Sequence, residues 1–182
     1  EMQRSLVGSE MCIRDRYKFS NGSANVMVCT DLASRGLDID NIANVVHYHL
    51  PETPEAYVHR TGRTARWNAE GNSVFLLGPT ETLPTYVEEA ATLTLPEHLS
   101  QPALPRMCTI YIGKGKKDKI SKGDIMGFLC KKGNLQKEDI GKIDVKERYA
   151  YVAVTTDKVA KLLKTVKNEK IKGLKTLFQL IK

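Results

Sequence analysis

The feature that most constrains the fold is the order of apolar patterns in residues 107–182. Apolar residues there recur first with the period of a strand, then of a helix, then of two strands, a helix and a strand. The predicted elements are strand Cys108–Ile112, a helix capped by Ser121 and ending near Lys132, strands Ile140–Val145 and Tyr149–Thr155, helix Asp157–Lys167 and strand Thr176–Ile181. This order, β-α-β-β-α-β, predicts an α+β sandwich.

Charge separates this segment, the tail, from the rest of the chain. Residues 1–106 hold nine Lys and Arg against thirteen Asp and Glu, a net charge of −4. Residues 107–182 hold nineteen against eight, a net charge of +11, which gives the chain its +7. The asymmetry indicates a basic module that meets nucleic acid or an anionic surface, and places a domain boundary near Arg106. Residues 93–106 contain three prolines and are predicted to form a semi-rigid linker.

Composition and cysteine spacing narrow the class of protein. Hydrophobic residues make up 41% of the chain, as in globular proteins, and no apolar run approaches the roughly 20 residues of a membrane span. Cys12, Cys29, Cys108 and Cys130 lie far apart, with no C-x-x-C pair. That spacing argues against a zinc site or disulfide framework and predicts a cytoplasmic protein.

Strands alternate with helices in residues 17–92, which predicts a parallel sheet. The predicted elements are strands 26–30, 44–48 and 73–77 and helices 54–63 and 81–91. Three strands are few for a sheet covered on both faces, so we expect an incomplete lobe with an exposed edge that favours association.

Two polar segments stand out in this part of the chain. The pattern T-D-x-x-S-R-G-x-D at 30–38 follows an apolar run and suits a loop at the carboxyl end of a parallel strand, where α/β sheets bind ligands. The pattern H-R-x-G-R-x-x-R at 59–66 places Arg63 and Arg66 three residues apart. On a helix they share a face and form a fork-shaped receptor for phosphate oxygens. Taken alone, an R-x-x-R pair is more often a solvated basic face.

Together the two segments resemble motifs V and VI of DEAD-box ATP-dependent RNA helicases. The resemblance implies part of the second RecA-like lobe, with ATP held between two lobes and single-stranded RNA lying across both. It implies that Arg63 and Arg66 are catalytic arginine fingers at the γ-phosphate and that Asp38 binds the ribose. The chain departs from the commonest family pattern at Thr61 and Ala65, between the contacting positions.

The same resemblance implies further roles. Thr30, Arg35 and Gly36 would bind RNA phosphates, and His59 would couple the two motifs. No Walker A loop, D-E-A-D sequence or S-A-T motif occurs in the chain. We therefore expect ATP and Mg to serve the full-length enzyme, with Mg held by the missing first lobe and neither held by this fragment alone, which should not hydrolyse ATP.

The tail resembles RRM domains and, more closely, the DbpA-type RNA-binding domain of some DEAD-box helicases. Ile140–Val145 and Lys170–Gly173 contribute most to that likeness. The predicted RNA-binding residues are aromatic side chains on the central strands and lysines of the first loop. They are Tyr111, Tyr149, Tyr151, Lys114, Lys116 and Lys117. Two alternatives remain open: the tyrosines pack against a neighbouring segment, and the lysine loop is merely solvated.

Residues 1–16 show no helical or strand period and resemble the translation of a transposase adapter from sequencing libraries. We therefore exclude them from the fold prediction, as an artefact or a disordered terminus. The predicted function is the C-terminal part of an ATP-dependent helicase that remodels structured RNA, possibly ribosomal. The alternative is a non-catalytic RNA-binding module or RNA chaperone, in which only 107–182 matters. The RRM-like tail disfavours a DNA-directed helicase.

Overall fold

The computed structural model describes residues 9–31, 39, 42–62, 64 and 71–181, without the side chains of 9–12. These residues divide into two compact units. The tail unit comprises the described residues of 1–27 and 102–182, and the lobe unit comprises those of 28–101. In chain order the helices and strands are α1 Ser9–Ser20, β1 Asn44–His47, α2 Pro54–Thr61, β2 Asn72–Phe75, β3 Met107–Ile112, α3 Lys122–Lys131, β4 Ile140–Val145, β5 Ala150–Thr155, α4 Thr156–Val166, β6 Lys170–Ile171, β7 Leu174–Lys175 and β8 Phe178–Leu180.

The tail unit is built on an antiparallel sheet of four strands in the order β4-β5-β3-β8. Alternation along β3 sends Ile110 and Ile112 into the core, where both are fully buried, and turns Tyr111 to the opposite face. Leu129 of α3 and Leu162 of α4 pack into the same core. The predicted β-α-β-β-α-β order and the mixed α/β fold class are therefore confirmed.

Helix α3 begins where the sequence predicts. The Ser121 hydroxyl accepts a hydrogen bond from the Asp124 N–H at 3.2 Å, and the Asp124 carboxylate accepts the Ser121 N–H at 2.8 Å. This capping box satisfies backbone donors that would otherwise lack partners at the first turn. It orients the helix so that Ile125, Phe128 and Leu129 are buried against the sheet.

A short hairpin, β6–β7, precedes the last strand and is absent from the predicted elements. Its turn residues, Lys172 and Gly173, have φ values of 50° and 79°. Two positive φ values at consecutive turn positions are those of a type I′ turn, which matches the twist of paired strands. The hairpin places Lys172 beside α3, where its ammonium lies 3.3 Å from Asp124.

The lobe unit contains the predicted parallel pairing. β1 pairs with β2 in parallel, with His47 opposite Phe75. Thr53 caps α2 by accepting the Ala56 N–H at 3.2 Å, and Pro54 occupies the first helical position, where a missing N–H costs nothing. The predicted fold class, a parallel-sheet α/β lobe followed by an α+β domain with an antiparallel sheet, is confirmed.

Two predicted elements of this region are wrong. Residues 26–30 form no strand, and Val26 and Val28 are 78% and 91% exposed. A buried strand needs neighbouring strands and helical cover, which the described two-stranded sheet provides only in part. The predicted helix 81–91 is irregular chain instead, because Pro84 in its interior lacks an N–H and its ring clashes with the preceding turn.

The structure also differs from the sequence prediction near the start of the chain, where α1 forms over Ser9–Ser20. The described residues contain no helix long and apolar enough to cross a bilayer. Within the same residues, no three His, Cys, Asp or Glu side chains are grouped so as to hold a metal ion. Cys29, Cys108 and Cys130 form no disulfide within the described part of the chain.

Candidate functional site

Arg60, on the last turn of α2, makes a two-pronged contact with Asp31. Its Nε donates to one carboxylate oxygen of Asp31 at 2.6 Å, and its Nη2 donates to the other at 2.7 Å. Nη1 donates to the His49 carbonyl at 2.7 Å. A planar guanidinium matched to a carboxylate in this way fixes orientation as well as distance. Arg60 therefore holds the segment Thr30–Asp31 against the helix that leads into the predicted arginine pair.

His47 lies beneath this contact and is 1% exposed. Its ring stacks on Phe75 with a centroid distance of 4.6 Å, and its Nε2 lies 3.0 Å from the Ser73 hydroxyl. Nδ1 lies 3.4 Å from the Arg60 guanidinium. Burial lowers the pKa of His47 and the Arg60 charge lowers it further, whereas Asp31 opposes both. His47 is accordingly a neutral imidazole that faces the positively charged Arg60 guanidinium.

Among the described residues, the contact between the two motif segments is made by Arg60, and the neighbouring His59 is exposed. The coupling role of His59 stays a prediction. Sequence reasoning missed Arg60 and Asp31 although both stand inside the two motifs with opposite charges. The sequence signal for this contact is the opposite charge of Asp31 and Arg60. Thr30 is exposed beside Asp31.

Five predicted site residues lie outside the described residues. They are the phosphate-binding and ribose-binding positions Arg35, Gly36, Asp38, Arg63 and Arg66. Their roles stay predictions.

The three predicted tyrosines of the tail do share one face of the sheet. Ring centroids lie 5.8 Å apart for Tyr111 and Tyr149, 5.9 Å for Tyr111 and Tyr151, and 5.2 Å for Tyr149 and Tyr151. Burial raises the pKa of Tyr151, with the neighbouring Tyr149 adding to it. Such a cluster has the geometry of a base-stacking platform.

A segment of the same unit covers part of that face. Tyr17 of α1 packs on Tyr151 at 5.0 Å between centroids, and Tyr151 is 6% exposed. Asn21 donates to the Thr109 hydroxyl at 2.9 Å, and that hydroxyl donates to Ser23 at 2.9 Å. The alternative left open by the sequence, packing against a neighbouring segment, describes Tyr151 in this structure. RNA contact by the tyrosines stays a prediction.

The lysine loop is folded rather than free. Lys114 pairs with Asp118 at 2.9 Å, and Lys116 lies 3.9 Å from Glu147. Gly115 lies so close to the Lys146 carbonyl that an added Cβ would overlap it. The loop therefore packs on the β4–β5 turn, with Lys116 and Lys117 exposed beside it. Binding of RNA phosphates by these lysines stays a prediction.

Comparison with known proteins agrees with this geometry. The helicase conserved C-terminal domain matches residues 13–68, and the DbpA RNA binding domain matches residues 109–179. The ATP-dependent RNA helicase DbpA of Escherichia coli is 38% identical over 180 residues, which cover 93% of this chain and 39% of the relative. The chain is similar to the DbpA-type ATP-dependent RNA helicases.

Two further relatives support the same reading. DbpA of Bacillus subtilis is 30% identical over 196 residues, covering 90% of this chain and 41% of the relative. The ATP-dependent RNA helicase mak5 of Schizosaccharomyces pombe is 53% identical over 64 residues, covering 35% of this chain and 10% of the relative. The chain thus spans about two fifths of the length of its DbpA relatives. The tail unit contains the DbpA domain, and the Arg60 contact lies in the stretch matched by the helicase domain.

Proposed function

We propose that this chain supplies two parts of an ATP-dependent RNA helicase that remodels structured RNA. Its lobe unit completes a nucleotide site whose other side is provided by a first RecA-like lobe. Its tail unit binds RNA and directs the enzyme to its target. By resemblance to the DbpA type, that target is ribosomal RNA. The cysteine spacing favours the cytoplasm as the compartment.

The observation that carries this proposal is the Arg60–Asp31 contact. It joins the segment that precedes the proposed RNA-phosphate positions to the helix that precedes the proposed arginine fingers. Through this contact, a shift of the proposed RNA-binding loop would be transmitted to the residues that would face the γ-phosphate. A chain that only bound RNA would have no use for such a link.

The cofactors of the proposed enzyme are ATP and Mg. Arg63 and Arg66 would neutralise charge that develops on the transferred phosphoryl group, and Asp38 would hold the ribose. We propose that the metal is held by the first lobe. Arg60 is engaged by Asp31 and is therefore a positioning residue rather than a phosphate ligand.

A non-catalytic RNA-binding module is the second candidate. The observation in its favour is the separate, well-packed tail unit with its own core. In that case the lobe unit would have no catalytic role, and changes to its motif residues would leave the function of the protein unaffected.

A chimaera distinguishes the two candidates. Residues 17–182 are joined to the part of E. coli DbpA that precedes the aligned region, and phosphate release is measured with and without a structured RNA. We expect RNA-stimulated ATP hydrolysis by the chimaera and none by the chain alone. Hydrolysis by the chain alone, or an inactive chimaera that still binds RNA, would contradict the proposal.

A further inference from the structure

Three buried side chains lie on the outer face of the tail sheet, the face that carries the three predicted tyrosines and that we call the tyrosine face. Alternation along β3 and β5 turns Thr109, Tyr151 and Ala153 to this face, whereas Ile110 points to the core. The three are 2%, 6% and 0% exposed. An antiparallel sheet packed on one side commonly leaves its other face to solvent. Their burial therefore shows that a further layer covers part of the tyrosine face.

That layer includes residues 17–23, which we call the lid and which belong to the tail unit. The Tyr17 ring packs on Tyr151 of β5, with 5.0 Å between the ring centroids. The Lys146 ammonium, at the end of the β4–β5 pair, lies 5.0 Å from the centroid of the Tyr17 ring. A cation at this distance attracts the electron-rich face of an aromatic ring. The lid is thus held over Tyr151 by a ring contact and a charge.

Polar contacts extend the lid across two further strands. The Asn21 amide donates to the Thr109 hydroxyl of β3 at 2.9 Å, and that hydroxyl donates to Ser23 at 2.9 Å. Lys142 of β4 donates to the Ser20 hydroxyl at 3.5 Å. These bonds join partly exposed side chains, where water competes for the same donors and acceptors. The lid is therefore positioned specifically but is open to displacement.

The lid has a shape of its own that does not depend on the sheet. It closes the end of α1 through Gly22, which has a φ of 77°. The Ser23 N–H donates to the Lys18 carbonyl at 2.8 Å and to the Asn21 side-chain oxygen at 3.0 Å. A left-handed glycine and these bonds form a helix C-cap. The lid can consequently leave the sheet and return as one unit.

The matched domains show that the lid is not part of the RNA-binding domain. That match covers residues 109–179 and contains the three tyrosines, whereas the lid falls in the helicase match, residues 13–68. Aromatic rings on a sheet of this kind stack unpaired bases. A base stacked on Tyr151 would need the place that the Tyr17 ring occupies. Lid and base therefore exclude each other.

We propose that the lid blocks the tyrosine face against unpaired RNA and is displaced when such RNA binds. The proposal rests on the RNA-binding function proposed above and adds a regulation of it. Tyr111 and Tyr149 remain half-buried beside the lid and offer the first contact to a base. Permanent packing of residues 17–23 on the sheet is the alternative that the experiments must separate.

The first test uses the full chain and an oligouridylate of about ten nucleotides, within the usual span of single-strand sites. The variant Tyr17→Ala/Asn21→Ala removes two side chains that hold the lid and leaves the RNA-binding match unchanged. It should bind at least about tenfold more tightly than the wild type, since one stacked base contributes about that factor. Tyr48→Ala/Asn168→Ala removes the same side-chain types from exposed positions outside the lid and should bind like the wild type. Equal affinities of the two double variants would overturn the proposal.

A further variant ties the gain to the rings. Adding Tyr111→Ala and Tyr149→Ala to the lid variant should abolish the tighter binding, because no half-buried ring is then left to start stacking. Circular dichroism and urea unfolding verify that each variant keeps the fold of the tail. Tight binding that survives the loss of both rings would contradict the proposal.

An NMR measurement on the wild-type chain needs no variant. The contact between the Tyr17 and Tyr151 rings should be present without RNA and should vanish at saturating oligouridylate. A contact that persists in the saturated complex would show permanent packing and would overturn the proposal.

Hairpin RNA separates the lid from the general function. A wild type and lid variant that bind neither hairpin nor oligouridylate would refute the RNA-binding function and the lid together. Hairpin binding by both, without oligouridylate binding by the lid variant, would refute the lid alone.

Discussion

At the scale of single residues, the lobe unit depends on a buried histidine kept neutral. His47 is enclosed by Phe75 and Tyr57 and faces the Arg60 guanidinium. Because burial and the neighbouring arginine lower its pKa, protonation is disfavoured in the folded state. The unfolded chain, in which His47 has its ordinary pKa of about 6.5, binds the proton more readily.

This asymmetry predicts a pH dependence. Stability contributed by neutral His47 is present above about pH 6.5 and is lost as the pH falls from there towards the lower pKa of the folded state. An NMR titration of the His47 imidazole should give a midpoint below 6.5, and the Arg60–Asp31 contact should loosen over the same range. Replacing His47 with Asn should remove this titration step. A midpoint above 6.5 would contradict the description of the site.

At the scale of elements, the sequence predicts the tail much better than the lobe. In the tail each predicted element has a clear period and a partner within the same 76 residues, so local pattern and tertiary packing agree. The run Val26–Cys29 has an equally apolar pattern but is exposed at Val26 and Val28. The apolar pattern indicates which residues are suited to burial. Their burial also requires neighbouring strands, which the pattern does not specify.

The misses have individual causes. Residues 81–91 have a helix-like apolar pattern, but Pro84 in its interior prevents a helix. The β6–β7 hairpin is hard to predict because its turn pair, Lys172-Gly173, is less common in such turns than Asn-Gly. The alternation of side chains along a strand predicts that the three tyrosines share a face. The packing of Tyr17 on Tyr151 depends on a contact between residues far apart in the sequence, which the alternation does not predict.

The start of α3 carries a prediction about stability. Replacing Ser121 with Ala removes the hydroxyl that caps the Asp124 N–H and should lower the free energy of unfolding by about 1 kcal/mol. Urea unfolding followed by circular dichroism measures this, with Ser100→Ala in exposed irregular chain as the matched control. Equal unfolding midpoints for Ser121→Ala and Ser100→Ala would show that the capping box does not stabilise the tail.

At the scale of the whole molecule, two units of opposite charge serve two parts of one proposed task. The acidic first part carries the motif segments, and the basic tail carries the predicted RNA-binding residues. The chain spans about two fifths of the length of its DbpA relatives. We propose that Arg63 and Arg66 of this chain complete a nucleotide site held mainly by another lobe.

The most direct test changes those two residues in the active chimaera. Arg63→Gln and Arg66→Gln should each lower RNA-stimulated ATP hydrolysis by about 10³-fold or more, because arginine fingers stabilise transition-state charge. Binding of hairpin RNA through the tail should be unchanged. ATP hydrolysis by either variant at the rate of the parent chimaera would contradict the account.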